Sequence, residues 1–266
     1  MTTEARPTLR IEASGAVTTV TLDCPERRNA IDLDTCVALR ERLAALDADS
    51  AVRAIVIAGT DRDFCTGADV TSRPDRAALT SPLDYRYLTL DYQHLFQQLW
   101  ELDTPVVSAV TGTVAGAGWM LALLADLVVA AEGARWTHVF ARRGMIPHAG
   151  DPYFLPRVLP FHRLNEIALL SEPVTSETLA GWGVVNRCVP PEQVLPTASA
   201  LATQLASGPT RSLGMTKRLY RRSLDSDMLT AFEEERAAQA LISTTHDRRE
   251  GLLSFMERRP AQFTGE

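Results

Sequence analysis

The stretch from Thr104 to Asp126, TPVVSAVTGTVAGAGWMLALLAD, constrains the fold of this chain more than any other. Pro105 introduces a short run rich in Val and Ala, Val106 to Val110, whose length and flanks fit a strand buried on both faces. Gly112, Gly116 and Gly118 then remove Cβ atoms where the chain must turn sharply and where a ligand can approach the backbone. The apolar run from Trp119 to Ala125 reads as a buried helix. Backbone N–H groups near Ala117 therefore sit at a helix N-terminus, where they can stabilise negative charge on a substrate oxygen. Phosphate-binding turns use similar glycines, but this one fits neither pattern. The third glycine of a dinucleotide fingerprint falls on Leu121, and no Gly-Lys-Ser/Thr occurs.

A second turn narrows the reading. Ala54-Ile-Val-Ile-Ala-Gly59 reads as another buried strand, followed by Thr60-Asp-Arg-Asp-Phe-Cys-Thr-Gly-Ala-Asp69. Two strand-plus-glycine elements, each presenting an N–H, are what a two-donor oxyanion hole needs. With Pro25-Glu-Arg-Arg-Asn-Ala-Ile31 upstream, the three motifs in this order resemble the enoyl-CoA hydratase/isomerase family, also called the crotonase superfamily. The resemblance runs from the strand pair Leu9 to Leu22 through Phe255-Met-Glu-Arg258.

That resemblance implies an α/β fold, a repeated ββα spiral core with a C-terminal helical region that packs into trimers, commonly paired into hexamers. It divides the chain into a core with the acyl-CoA site, residues 1–191, and a helical region, 192–266. No internal sequence repeat displays the spiral. The implied oxyanion donors are the amides of Ala68 and of Ala117, where a glycine is more usual. The two positions that carry catalytic glutamates in hydratases of the family are occupied by Met120 and Phe140, neither of which can activate water or deliver a proton. The CoA moiety is expected on the backbone of Arg28 and Ala30, on the Ala68-Asp69-Val70 turn, and on Phe255 and Arg258 from the last helix. No cofactor beyond CoA is implied.

Acid–base groups then have to come from elsewhere, and the loop Gly144-Met-Ile-Pro-His-Ala-Gly-Asp-Pro152 offers two. His148 titrates near neutrality when unperturbed, and aryl-CoA dehalogenases of the family place a catalytic aspartate near this position. Asp151 is open to two readings: a partner for the His148 imidazole, or the N-cap of a helix with Pro152 at its first position. His138, beside the Phe140 position, is a further possibility. Two functions from different classes remain: an enzyme that stabilises a thioester enolate or oxyanion, by isomerase, hydrolase or lyase chemistry, and a catalytically silent acyl-CoA-binding homologue.

Composition closes off other classes. A formal charge of -6 argues against nucleic acid as partner. The four cysteines form no CxxC pair and the five histidines no HExxH spacing, so reduced thiols and no metal are expected. No stretch resembles a signal peptide or a membrane span, which suggests a cytoplasmic protein. Lys217 stands as the single lysine against many arginines, a codon signature of a GC-rich bacterial genome. Along the chain, Leu9 to Ala13 and Val17 to Leu22 read as a hairpin through Ser14-Gly15, and Asp32 as the N-cap of a helix over 33–46. A long helix is expected from about Pro82 to Leu102. After Val189-Pro-Pro191 the strands stop, and helices are expected over 192–207, 209–222, 227–245 and 248–258. The basic run Lys217 to Arg222 is expected at the surface or at a subunit contact.

Overall fold

Three successive units of the chain repeat one construction: a strand in a large sheet, a tight corner, and a short strand in a second sheet. They are β3 (Ala54–Gly59) with β4 (Asp63–Cys65), β5 (Val106–Val110) with β6 (Thr113–Ala115), and β7 (Leu127–Ala131) with β8 (Arg135–Thr137). The computed structural model describes residues 9–60, 62–69, 71, 81 and 89–266. With β1 (Leu9–Ser14), β2 (Val17–Leu22), β9 (Val174–Thr175) and β10 (Arg187–Val189), the large sheet runs β1-β2-β3-β5-β7-β10 and the small one β4-β6-β8-β9. From β2 to β10 the large sheet is parallel. Each unit thus advances one strand in both sheets, and a helix returns the chain to the start of the next. This is the ββα spiral that the sequence carries no repeat to reveal.

The corners explain the glycines. At Gly112, with φ +60, a Cβ would stand 1.6 Å from the Arg62 carbonyl oxygen, so no side chain fits between β5 and β6. The expected hairpin is present with Leu9 opposite Leu22. Asp32 caps α1 (Leu33–Ala48), its carboxylate accepting from the Thr35 amide at 2.8 Å. The long helix expected from Pro82 is described from Leu90 to Glu101 (α2), and its first expected turns lie outside the described residues.

Alternation along the strands divides the core. Ile55 and Ile57 face Leu39 and Leu43 of α1, Leu95 and Leu99 of α2, and Trp119 and Leu121 of α3 (Ala117–Leu123). Ala54, Val56 and Ala58 face the other way, against Ala198, Ala202 and Ala206. These last lie at helical spacing on α7 (Val194–Ala206), and small residues on both partners let the helix sit close on the sheet. Between them come α4 (Asp151–Val158), α5 (Phe161–Leu170) and α6 (Ser176–Gly181).

The last helices, α8 (Thr210–Ser223), α9 (Met228–Ile242) and α10 (His246–Glu257), bury little apolar surface: Leu229, Phe232, Leu241, Phe255 and Met256 are all exposed. The basic run on α8 corrects the surface expectation. Lys217 Nζ lies 2.6 Å from Asp126 Oδ2 and 2.7 Å from the Thr104 carbonyl, and Arg221 Nη2 lies 2.8 Å from Asp126 Oδ1. Burial pulls the Lys217 ammonium below its ordinary pKa even beside that carboxylate. Only the outer members of the run, such as Arg218 and Arg222, stay at the surface. Among the described residues no helix is long and apolar enough to cross a membrane, and no cluster of three or more His, Cys, Asp or Glu side chains could hold a metal.

Candidate active site

Two turns meet where the spiral's first and second units touch. Ile31 bridges the first turn in parallel fashion, its N–H donating to the Gly67 carbonyl at 2.9 Å and its carbonyl accepting from the Asp69 amide at 2.8 Å. That pattern turns the N–H of the intervening Ala68 to the opposite side. Gly67, with φ +98, is wedged against the second turn: a Cβ there would lie 2.7 Å from the Ala115 carbonyl oxygen and 3.3 Å from the Ala117 nitrogen. In the second turn Gly116 adopts φ 51 and ψ -121 as the N-cap of α3, so Ala117 is the first helical residue and its N–H has no intrahelical acceptor. Among the described residues neither the Ala68 nor the Ala117 amide has a hydrogen-bond acceptor. The alanine at 117 keeps its amide, and its methyl is accommodated in the core at 7 % exposure.

Beside these turns the side chains are apolar. Met120 on α3 and Phe140, just beyond β8, are buried at 1 % and 4 % exposure. Phe140 sits in a line of rings. His138 packs edge-on against it at 4.8 Å between centroids, and His148 at 5.0 Å. Trp119 continues the line to Trp136, at 5.4 Å.

The loop after Phe140 corrects one reading of Asp151. Gly150, at φ 87, is the N-cap of α4; Asp151 is the first helical residue and its side chain caps nothing. Nor does Asp151 reach His148. Its Oδ2 accepts from His138 Nε2 at 2.8 Å, with both side chains almost fully buried. His148 is half-buried, with Nδ1 3.4 Å from the Ile146 carbonyl oxygen. The structure thus brings His148 to Phe140, and Asp151 to the histidine that sequence reasoning ranked behind it. No periodic signal links residues thirteen apart across a loop, so the pairing is a tertiary fact.

The chain's likeness to known proteins bears on this arrangement. The enoyl-CoA hydratase/isomerase family profile matches residues 12–266. This chain belongs to that family. It is 34% identical over 252 residues to the 1,2-epoxyphenylacetyl-CoA isomerase of Escherichia coli K12, covering 94% of this chain and 95% of that protein. It is 35% identical to a Rhodobacter capsulatus protein named "Probable enoyl-CoA hydratase", covering 97% and 98%. The solved enoyl-CoA hydratase of Mycobacterium smegmatis superposes with a TM-score of 0.89 at 26% identity, covering 97% of this chain and 99% of that one.

In this enoyl-CoA hydratase/isomerase homologue the loop before Ile31 is tightly built. Arg28 and Asn29 both have φ 54. The buried Asn29 side chain, which the sequence did not single out, accepts from the Cys24 amide at 3.0 Å and donates to the Asp63 carbonyl at 2.6 Å. The Arg28 guanidinium grips Asp63 through two bonds of 2.9 Å and Thr113 at 2.8 Å. Hydrogen bonding to Asp63 holds the Arg28 pKa above its ordinary value despite burial. The amides of Arg28 and Ala30 are spent inside the loop, on the Pro25 and Arg27 carbonyls. Asp69 faces Arg27, which also holds Asp32, at 3.0 and 2.9 Å. Val70 lies outside the described residues. Phe255 is 83% exposed on α10 and Arg258 is its left-handed C-cap; among the described residues no hydrogen bond or ion pair joins that helix to the 28–30 loop.

Proposed function

We propose that this chain is an acyl-CoA enzyme that polarises a thioester carbonyl between the amides of Ala68 and Ala117 and stabilises the resulting enolate or tetrahedral oxyanion, with His148 moving the proton. The observation that carries it is the pair of unsatisfied amides on abutting turns, where preorganised donors can meet developing charge without reorganisation. Hydration is the reaction it supports least. Met120 and Phe140 cannot activate water, and a positioned acid or base contributes about 10² to 10⁴ in rate. His148 packs on Phe140 at 5.0 Å and is partly exposed, whereas His138, at 4.8 Å, is fully buried and bonded to Asp151. Proton transfer at the α carbon, as in an isomerisation, needs only such a group and an oxyanion hole. The likeness to an isomerase of an aromatic acyl-CoA and the line of rings both favour an aryl-substituted acyl group.

CoA recognition is assigned to Arg28, Ala30, Ala68, Asp69, Val70, Phe255 and Arg258. Because Asp63 occupies the Arg28 guanidinium, Arg28 and Ala30 would act through backbone carbonyls. The exposed apolar residues of α9 and α10 are read as subunit contacts of a homotrimer or a dimer of trimers, and a monomer mass by light scattering would overturn that part. The burial of apolar side chains at both carboxylate positions favours a second reading, a silent acyl-CoA binder.

Calorimetry and isotope exchange separate the two. Crotonyl-CoA should bind and crotonic acid should not; equal affinities would sink both readings. Phenylacetyl-CoA should exchange its α protons in deuterated buffer, and His148→Ala should abolish exchange while leaving affinity nearly unchanged. Binding without exchange would leave the silent reading standing. Rapid crotonyl-CoA hydration would show that another side chain has replaced the glutamates.

A further inference from the structure

The segment from His138 to Asp151 carries Phe140 and His148, and its two ends are tied by one buried bond. Just before it, the Thr137 carbonyl accepts from the Gly116 amide at 3.3 Å, which couples the segment to the turn that presents Ala117. At its far end Ala149 and Gly150 both stand in the left-handed region, at φ 61 and 87, before α4 begins. An alanine at positive φ costs roughly 1 kcal/mol and persists only where its surroundings impose it.

The bond that closes this span is the one from His138 Nε2 to Asp151 Oδ2, 2.8 Å long, between side chains 0% and 4% exposed. A carboxylate can only accept, so Nε2 carries the proton and a neutral ring leaves a lone pair on Nδ1. That Nδ1 is buried and has no partner among the described residues. The ring therefore takes its orientation from Asp151 and from its packing against Phe140 and Trp119. Asp151 in turn is the first residue of α4 and sits three positions after His148. Fixing it fixes the backbone from which the His148 imidazole is aimed.

Resting on the proton-transfer role given to His148, the geometry points to His138 and Asp151 as positioning residues: their buried bond holds Phe140 and His148 in place against the turn at Ala117. They act through His148 and need not touch substrate. Misplacing a reacting group by about 1 Å can cost on the order of 10²-fold in rate.

The test follows phenylacetyl-CoA α-proton exchange and the imidazole ¹⁵N signals of His148 in the full chain. His138→Ala should lower kcat about 10- to 100-fold with KM nearly unchanged, and should shift the His148 signals. His138→Gln, whose side-chain N–H can still donate to Asp151, should recover most of the rate and the original signals. Asp151→Ala should repeat the His138→Ala result and stands in for it if that variant does not fold. Unmoved His148 signals in either folded alanine variant would overturn the proposal, as would a His138→Gln variant no better than His138→Ala. Full exchange in His148→Ala would overturn the proton-transfer role instead, and the His148 signals would still decide the positioning.

Discussion

Asp126 and Asp151 each hold basic side chains from elsewhere in the chain, yet they are finished differently. Asp126 has three donors: the Val106 amide and Lys217 Nζ lie 2.8 and 2.6 Å from one oxygen, and Arg221 lies 2.8 Å from the other. Arg221 also donates to the Trp100 and Leu102 carbonyls and stacks over the Trp100 ring. Among the described residues Asp151 has one side-chain partner, His138, whose Nδ1 has none. A carboxylate held by three donors is an anchor, here pinning α8 to the entrance of β5. A buried pair left one bond short lies next to the groups assigned to chemistry, where structures tolerate such incompleteness.

The two can be broken separately. Asp126→Ala leaves a mostly buried ammonium and guanidinium without their counter-ion, and should lower unfolding free energy by about 3 kcal/mol, the low end for a broken buried pair because the site keeps some solvent. Urea unfolding checks this, and a loss below about 1 kcal/mol would show that the anchor is idle. Acyl-CoA turnover per folded molecule should not change. Asp151→Ala should reverse the balance, costing about 1 to 3 kcal/mol, the range for leaving a buried polar group unsatisfied, while taking most of the activity. If the stability losses came out in the opposite order, the number of donors would be the wrong criterion for telling anchor from positioning residue.

Much of this frame could be read in the sequence, and the limits were physical. The strands over 54–59 and 106–110 are apolar runs buried on both faces, and both stand where the pattern places them. The small sheet could not be read this way, because two- and three-residue strands are too short to display a period of two. The Asp151-Pro152 pair invites an N-cap reading, but Gly150 at positive φ takes the cap and frees the carboxylate for His138. Lys217 and Arg221 look like solvated charge one helical turn apart until Asp126, far upstream in the sequence, is brought beneath them. Hydrophobic pattern encodes which residues are inside; which polar groups meet there depends on the packed fold.

Asp32 and Asp63 fall between the two cases and give the smallest expected effect, a pH dependence. Burial pushes the Asp63 carboxyl upward, but hydrogen bonds from Arg28 and Thr113 outweigh it and hold its pKa below the ordinary value. Asp32 behaves alike, with Thr35 and Arg27 overcoming burial. For a group depressed in the fold, the unfolded chain takes up the proton first. Its contribution is therefore full above the unfolded value of about 3.9 and is lost as pH falls through the lower folded value. The urea midpoint should decline as the solution is acidified below about pH 4. Arg28→Ala should make that decline shallower, since Asp63 would then titrate closer to its unfolded value. Because the Arg28 side chain is 60% exposed, solvent screens the pair and the change should be modest. An Arg28→Ala midpoint that falls as steeply as the parent protein's would show that Asp63 owes its low pKa to something other than Arg28.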